Sequence, residues 1–276
     1  ASKSPFDILE VRFKNGRKEF FKNKTNLNVH MGDCVAVEGT SGHDIGIVSL
    51  KGELVRLQMR KKKVNIESEE VKTLYRHASE LDLQKWETAR NREKECMYRA
   101  REMASNLNLD MKIGDVEFQG DNTKAIFYYT SSGRVDFREL IKQMADEFKI
   151  RIEMRQIGVR QEAQRMGGIG SCGRELCCSS WLNDFRSVST SAARYQQLSL
   201  NPQKLAGQCG KLKCCLNYEL DMYVEAIKDF PKSNVKLKTK KGDAFMQKMD
   251  IFKRKLWYSY TSEPSNFIEL PLDKVQ

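Results

Sequence analysis

Apolar and polar positions along the chain change their period several times, and each change marks a different piece of structure. In residues 6–21, Ile8, Val11 and Phe13 mark a short strand, Asn15-Gly16 is a hairpin-turn dipeptide, and Phe20-Phe21 open the return strand. Residues 29–33 read as strand then turn, Cys34–Glu38 as a strand, residues 39–42 as a loop and residues 44–48 as another strand. Short strands with Gly-Asp turns predict a small β-barrel of the KOW type over residues 1–65. From Glu67 to Asn106 there is no Gly or Pro, and Glu, Lys, Arg, Leu and Ala dominate. That predicts a helical segment over residues 66–108, in one piece or in two broken near Asp82.

After Asn106 the pattern becomes strand, turn, strand, helix, strand. Residues 111–118 and 124–130 flank a polar turn, Phe137, Leu140, Ile141, Met144, Ala145 and Phe148 recur at helical spacing, and residues 150–157 alternate again. A helix packed on a sheet follows, so the fold class is α+β and residues 109–220 form its central domain. Phe127, Tyr128 and Tyr129 suit either core packing or base stacking. In residues 221–276 a helix stops at Pro231, and a basic β-meander extension follows, rich in lysine and carrying Trp257, Tyr258 and Tyr260.

The central domain ends in a duplicated cassette. Cys172-Gly173-Arg174-Glu175-Leu176-Cys177-Cys178 and Cys209-Gly210-Lys211-Leu212-Lys213-Cys214-Cys215 both spell C-G-[RK]-x-x-C-C and hold six of the eight cysteines. Thiolates are soft metal ligands, and cysteines from two loops supply the four sulfurs taken by Zn²⁺ or an iron–sulfur cluster. Cys172, Cys177, Cys209 and Cys214 are the symmetric choice, with Cys178 or Cys215 equally able to replace its neighbour. Adjacent cysteines rarely bond to each other, which argues against a simple redox dithiol. The glycines beside Cys172 are expected to turn the backbone tightly and aim N–H groups at a thiolate or bridging sulfide. Cys34 and Cys96 read as packing residues. Residues 168–173 also match G-x-G-x-x-G, but polar residues rather than a strand precede them and the downstream stretch is rich in Ser and Thr, which argues against a dinucleotide fingerprint.

A net charge of +11 favours polyanionic partners, RNA or the surface of an RNA-bearing assembly, with a basic surface that only keeps the protein soluble as the alternative. The dense run Arg56, Arg60, Lys61, Lys62 and Lys63 is the nucleic-acid-binding candidate. No apolar run approaches the roughly 20 residues of a membrane span, and residues 1–7 lack the apolar core of a signal peptide, so a cytoplasmic location is expected. Without an export signal, eight cysteines suggest a reduced compartment and metal or redox use rather than disulfides. No Ser/His/Asp or paired-carboxylate constellation is present, and no Cys-x-x-Cys lies beside a βαβ unit, so an enzyme is not expected.

The runs Arg-Val-Asp-Phe-Arg-Glu-Leu (residues 134–140), Arg-Ile-Glu-Met-Arg-Gln-Ile-Gly-Val-Arg (151–160) and the first cassette with its glycines (167–178) resemble the RicT (YaaT) family. Residues 198–219, through the second cassette, extend the resemblance, which covers roughly residues 29 to 220. It implies a bacterial cytoplasmic subunit of an iron–sulfur-containing regulatory complex. Family members associate with two small helical partner proteins and modulate mRNA processing by RNase Y, with ties to sporulation, competence and biofilm formation. The resemblance favours a [4Fe–4S] cluster, with ligands open to sharing across a subunit interface, over the zinc that spacing alone allows equally. The alternative is a zinc-bearing RNA- or ribosome-binding protein.

Overall fold

The computed structural model describes residues 6–182, 185–232 and 234–275. Most of the N-terminal stretch read for a signal peptide, residues 1–5, lies outside them. The chain divides into two compact units, residues 1–180 and 181–276. That boundary falls between the cassettes, whereas the sequence pattern predicts both in one domain of residues 109–220.

The first unit begins with five strands that close on themselves in the order β1 (Ile8–Arg12), β2 (Lys18–Lys22), β5 (Lys72–His77), β3 (Cys34–Glu38), β4 (His43–Lys51). The Asn15-Gly16 tip forms as expected, both residues taking positive φ. Inside the barrel lie Leu9, Val11, Phe21, Val35, Val37, Val48 and Leu74. Its outer side has a second apolar layer, where Ile8 and Phe20 meet Val55 and Met59 of α1 (Glu53–Lys62). With both faces covered, β1 is buried along most of its length and lacks a clean alternation.

Two sequence expectations give way here. Residues 29–33 hold a turn without a strand. Residues 72–77, expected in the helical segment, are the strand that closes the barrel, so the barrel runs to His77. Leu74 sits in the barrel core, and β5 pairs with β2 on one side and β3 on the other. Two ladders outweigh the weak helical propensity of this short stretch. The helix α2 (Glu80–Asn106) starts only after Ser79, whose Oγ accepts from the Asp82 N–H while the Asp82 carboxylate accepts from Ser79 N–H.

β6 (Lys112–Phe118), β7 (Lys124–Thr130) and β8 (Arg151–Gln156) form a three-stranded sheet, antiparallel then parallel, with α3 (Arg138–Phe148) as the crossover. α2 and α3 bury one face, with Ala100, Ile113, Phe127, Leu140 and Met144 at the centre. The opposite face is polar and carries Asp115, Glu117 and Tyr128.

The hairpin tip of the barrel plugs into that polar face. Arg17 donates from Nε to Glu117 at 2.8 Å and from Nη2 to Asp44 at 3.0 Å, and it also pairs with Glu19. Lys14 Nζ reaches Glu93 and Asp115, both at 2.7 Å. Tyr128 donates its hydroxyl to Glu117 at 2.8 Å, and the Arg165 guanidinium lies 3.5 Å from the Tyr128 ring centroid. Burial alone would lower the Arg17 pKa, but Glu117, Glu19 and Asp44 outweigh it and raise it, so the cation is fixed. Gly120, in the β6–β7 turn, donates to Asp44 at 2.8 Å; a Cβ there would lie 2.6 Å from Ile45. Only glycine allows this approach.

The second unit opens with short helices, α6 (Thr190–Tyr195) and α7 (Pro202–Leu205), and continues with α8 (Cys215–Ile227). Ala192, Ala193, Leu205 and Leu216 form a small shared core. The expected meander follows as a four-stranded antiparallel sheet in the order β12 (Glu263–Pro271), β11 (Lys255–Tyr260), β10 (Gly242–Asp250), β9 (Leu237–Thr239). Phe230, Leu256, Tyr258 and Leu272 fill its core.

Replacing Arg17 by Met strands Glu117 and Asp44 in a buried site. The unfolding free energy is expected to fall by about 3–5 kcal/mol, read from urea titrations of the two proteins. A second expectation concerns acid. Hydrogen bonds from Arg76, then from Ser79, hold the Asp82 pKa well below the carboxylate range against partial burial. Its contribution is therefore present above the unfolded value of ~4 and fades as pH falls through and below it. Asp82→Asn should flatten that part of the stability-versus-pH curve, in urea titrations between neutral and acid pH.

Candidate metal centre

α4 (Val159–Met166) leads into the first cassette and ends at Gly167, where φ is 69°. The chain then folds back as a minimal hairpin. Ile169 and Glu175 pair as an antiparallel bridge, Gly170 N–H donates to Arg174 O at 2.8 Å, and Gly173 N–H donates to Gly170 O at 2.9 Å. Leu176 N–H closes the base on Gly168 O at 3.0 Å, and α5 (Cys177–Ser180) begins immediately.

The second cassette repeats this bond for bond. Ala206 and Leu212 form the bridge, Gly207 N–H donates to Lys211 O at 2.8 Å, Gly210 N–H to Gly207 O at 3.0 Å, and Lys213 N–H to Leu205 O at 3.0 Å. A helix again follows, α8, with Cys214 capping it and Cys215 as its first residue. The turn glycines match as well, with φ of 78° at Gly173 and 74° at Gly210. That conformation is easy only for glycine, which explains the C-G dipeptide in both cassettes.

A further shared residue escaped the sequence reading. Gly170 and Gly207 each stand two positions before the first cysteine, so the repeat is G-x-C-G-[RK]-x-x-C-C. A Cβ on Gly170 would lie 3.4 Å from Cys172 Sγ, and one on Gly207 would lie 3.7 Å from Cys209 Sγ. The first sulfur of each cassette folds back over its glycine. The signal was available in the spacing. The glycine N–H groups, expected to face sulfur, are instead used by Gly170 and Gly173 to close the hairpin.

Cys172 is exposed, Cys177, Cys209, Cys214 and Cys215 are half-buried, and Cys178 is buried. Among the described residues no group of three or more His, Cys, Asp or Glu side chains is placed to hold a metal ion. Each cassette holds three thiols, so a four-cysteine centre takes donors from beyond any single cassette. In donor chemistry the residues fit thiophilic iron or zinc. Cys34 pairs with Ile47 inside the barrel sheet, and Cys96 is buried on α2. The G-x-G-x-x-G run follows α4 rather than a strand, as its sequence context indicated.

The basic run lies on α1 and its end, where positive side chains also suit the negative end of the helix dipole. Arg56 is 3.4 Å from Glu53 and stacks on Phe6, and Lys62 is 3.9 Å from the buried Glu10. Arg60, Lys61 and Lys63 are exposed and have no carboxylate partner among the described residues. Phe127, Tyr128 and Tyr129 are all buried, which removes them as base-stacking groups. No helix among the described residues is long and apolar enough to cross a membrane.

Three family models match the chain. The PSP1 C-terminal conserved region covers residues 72–157, the third domain of PSP1-like proteins covers 187–230, and the YaaT C-terminal domain covers 238–276. An uncharacterized protein of Schizosaccharomyces pombe is 23% identical over 55% of this chain and 23% of its own length. No solved structure matches the chain. The stage 0 sporulation protein YaaT of Bacillus subtilis is 40% identical over 91% of this chain and 89% of its own length. With that relative matched nearly end to end and the YaaT C-terminal model matched as well, the chain belongs to the YaaT (RicT) family.

Proposed function

We propose that this chain is a non-catalytic regulatory or adaptor subunit, and that its two cassettes supply thiolate ligands to an iron–sulfur cluster of the [4Fe–4S] kind. The assembly it serves contains small helical partner proteins and modulates mRNA processing by RNase Y. The observation that carries this reading is the bond-for-bond repeat of the two hairpins, each setting a cysteine over a glycine and two more at a helix start. Packing does not require that a fold build the same thiol-bearing loop twice. Presenting the same three thiols as ligands from each loop accounts for the repeat. The name of the Bacillus subtilis relative, a sporulation protein, agrees with a regulatory role.

A second reading, a zinc-bearing RNA-binding protein, draws on the exposed Arg60, Lys61 and Lys63 at the end of α1. The two readings part on metal content. The chain, produced with its partners and purified without oxygen, is expected to carry iron and acid-labile sulfide and to show the broad visible absorption of a cluster. Cys172→Ser and Cys214→Ser should each reduce both. A colourless protein with stoichiometric zinc would overturn the cluster. If the α1 end binds RNA, glutamine at Arg60, Lys61 and Lys63 should weaken binding. The salt dependence, measured by fluorescence anisotropy, should then fall by about one unit of slope for each phosphate no longer neutralised.

A further inference from the structure

We infer that the outer face of the C-terminal sheet is a binding platform for single-stranded nucleic acid, distinct from both the cassettes and the α1 run. The register sorts the aromatic residues of this sheet into two sets. Tyr258 and Tyr260 point into the core with Leu256 and Leu270. Phe245, Trp257 and Phe267 take the alternate positions and face the other way. Phe245 lies opposite Ser259, Trp257 lies opposite Lys248 on one side and Glu269 on the other, and Phe267 precedes the Ile268–Tyr258 pair. Phe245 and Phe267 are 37% and 57% exposed, although strand aromatics are ordinarily spent on cores.

Lysines frame these rings. Lys248 Nζ is 5.4 Å from the Trp257 ring centroid and Lys236 Nζ is 5.1 Å from that of Phe245. Lys236 pairs with Asp243 and Lys255 with Glu269. Lys238, opposite Asp243 on the same face, and Lys248 have no ion-pair partner among the described residues, nor do Lys240 and Lys241 at the β9–β10 turn. Flat rings on one face of neighbouring strands with unneutralised cations beside them are what a flexible polyanion with stackable bases requires. A duplex hides its base faces and cannot use the rings. An acidic protein would use the lysines but gain little from the rings.

The full chain would be titrated against fluorescein-labelled 12-nucleotide oligouridylate and oligothymidylate, and against a duplex of the same length, by anisotropy at two salt concentrations. Both single strands are expected to bind more tightly than the duplex. Phe245→Ala combined with Phe267→Ala should weaken single-strand binding about tenfold or more, the scale of losing base stacking. Phe245→Tyr and Phe267→Tyr should keep it. Lys238→Gln with Lys248→Gln should lower the salt slope. Unchanged circular dichroism and urea midpoints confirm that these outward-facing variants fold. The inference is overturned if the double alanine variant binds like wild type, if the duplex binds as well as the single strands, or if polyglutamate displaces the strand as effectively as unlabelled oligonucleotide. Metal content has no part in these readouts, so failure here leaves the cluster proposal standing.

Discussion

The ion pair between Arg17 and Glu117 joins the barrel to the α+β layer, and most of the first unit depends on it. Glu117 stands on the sheet face that α2 and α3 leave uncovered, with one oxygen accepting from Arg17 and the other from Tyr128. Neither group survives burial alone. A lone carboxylate there would carry a large desolvation cost, and a lone guanidinium would be as badly placed. Because the donors come from a hairpin tip and the acceptors from a β-sheet, the pairing fixes position as well as charge. Gly120 and Asp44 reinforce it by bringing the β6–β7 turn into backbone contact with β4. The outcome is a polar seam, specified by hydrogen-bond direction where an apolar seam would tolerate sliding.

That seam was invisible in the sequence. Arg17, Glu117 and Tyr128 lie far apart in the chain, and nothing about one charged residue reveals which distant residue neutralises it. The local features were legible. Asn15-Gly16 gave the hairpin, the apolar spacing from Phe137 to Phe148 gave α3, and alternation gave the meander. Residues 72–77 form a strand against the helical expectation because helix-compatible composition says nothing about a free barrel edge waiting for a strand. Tyr128 was half legible: its strand was clear, but a stacking role required an open sheet face, and Arg165 with the hairpin tip covers it.

The cassettes show the reverse case, where local sequence carries nearly all the structure. A glycine at a required positive φ, another lying under the first sulfur, and a helix start at the paired cysteines are all set within a few residues. The hairpin's turn is closed by its own backbone hydrogen bonds. The two repeats fall in different compact units, and the same backbone bonds recur in each.

The surplus positive charge is distributed by the same logic. Within the barrel and its seam, Lys14, Arg17 and Arg165 are matched by carboxylates, so the interior contributes little net field. The surplus appears where side chains reach solvent, at the end of α1 and across the lysine-bearing strands of the C-terminal sheet. α1 offers cations on a helix, where Leu54 and Leu57 are exposed and the ring contacts of Arg56 and Lys62 are made with Phe6 and Phe20, not with rings open to a ligand. The sheet offers cations interleaved with flat rings. A helix of cations alone has no means of telling one phosphate backbone from another, whereas rings beside cations add a contact that only unpaired bases can make, so the inferred platform is the sheet rather than the denser run of charge.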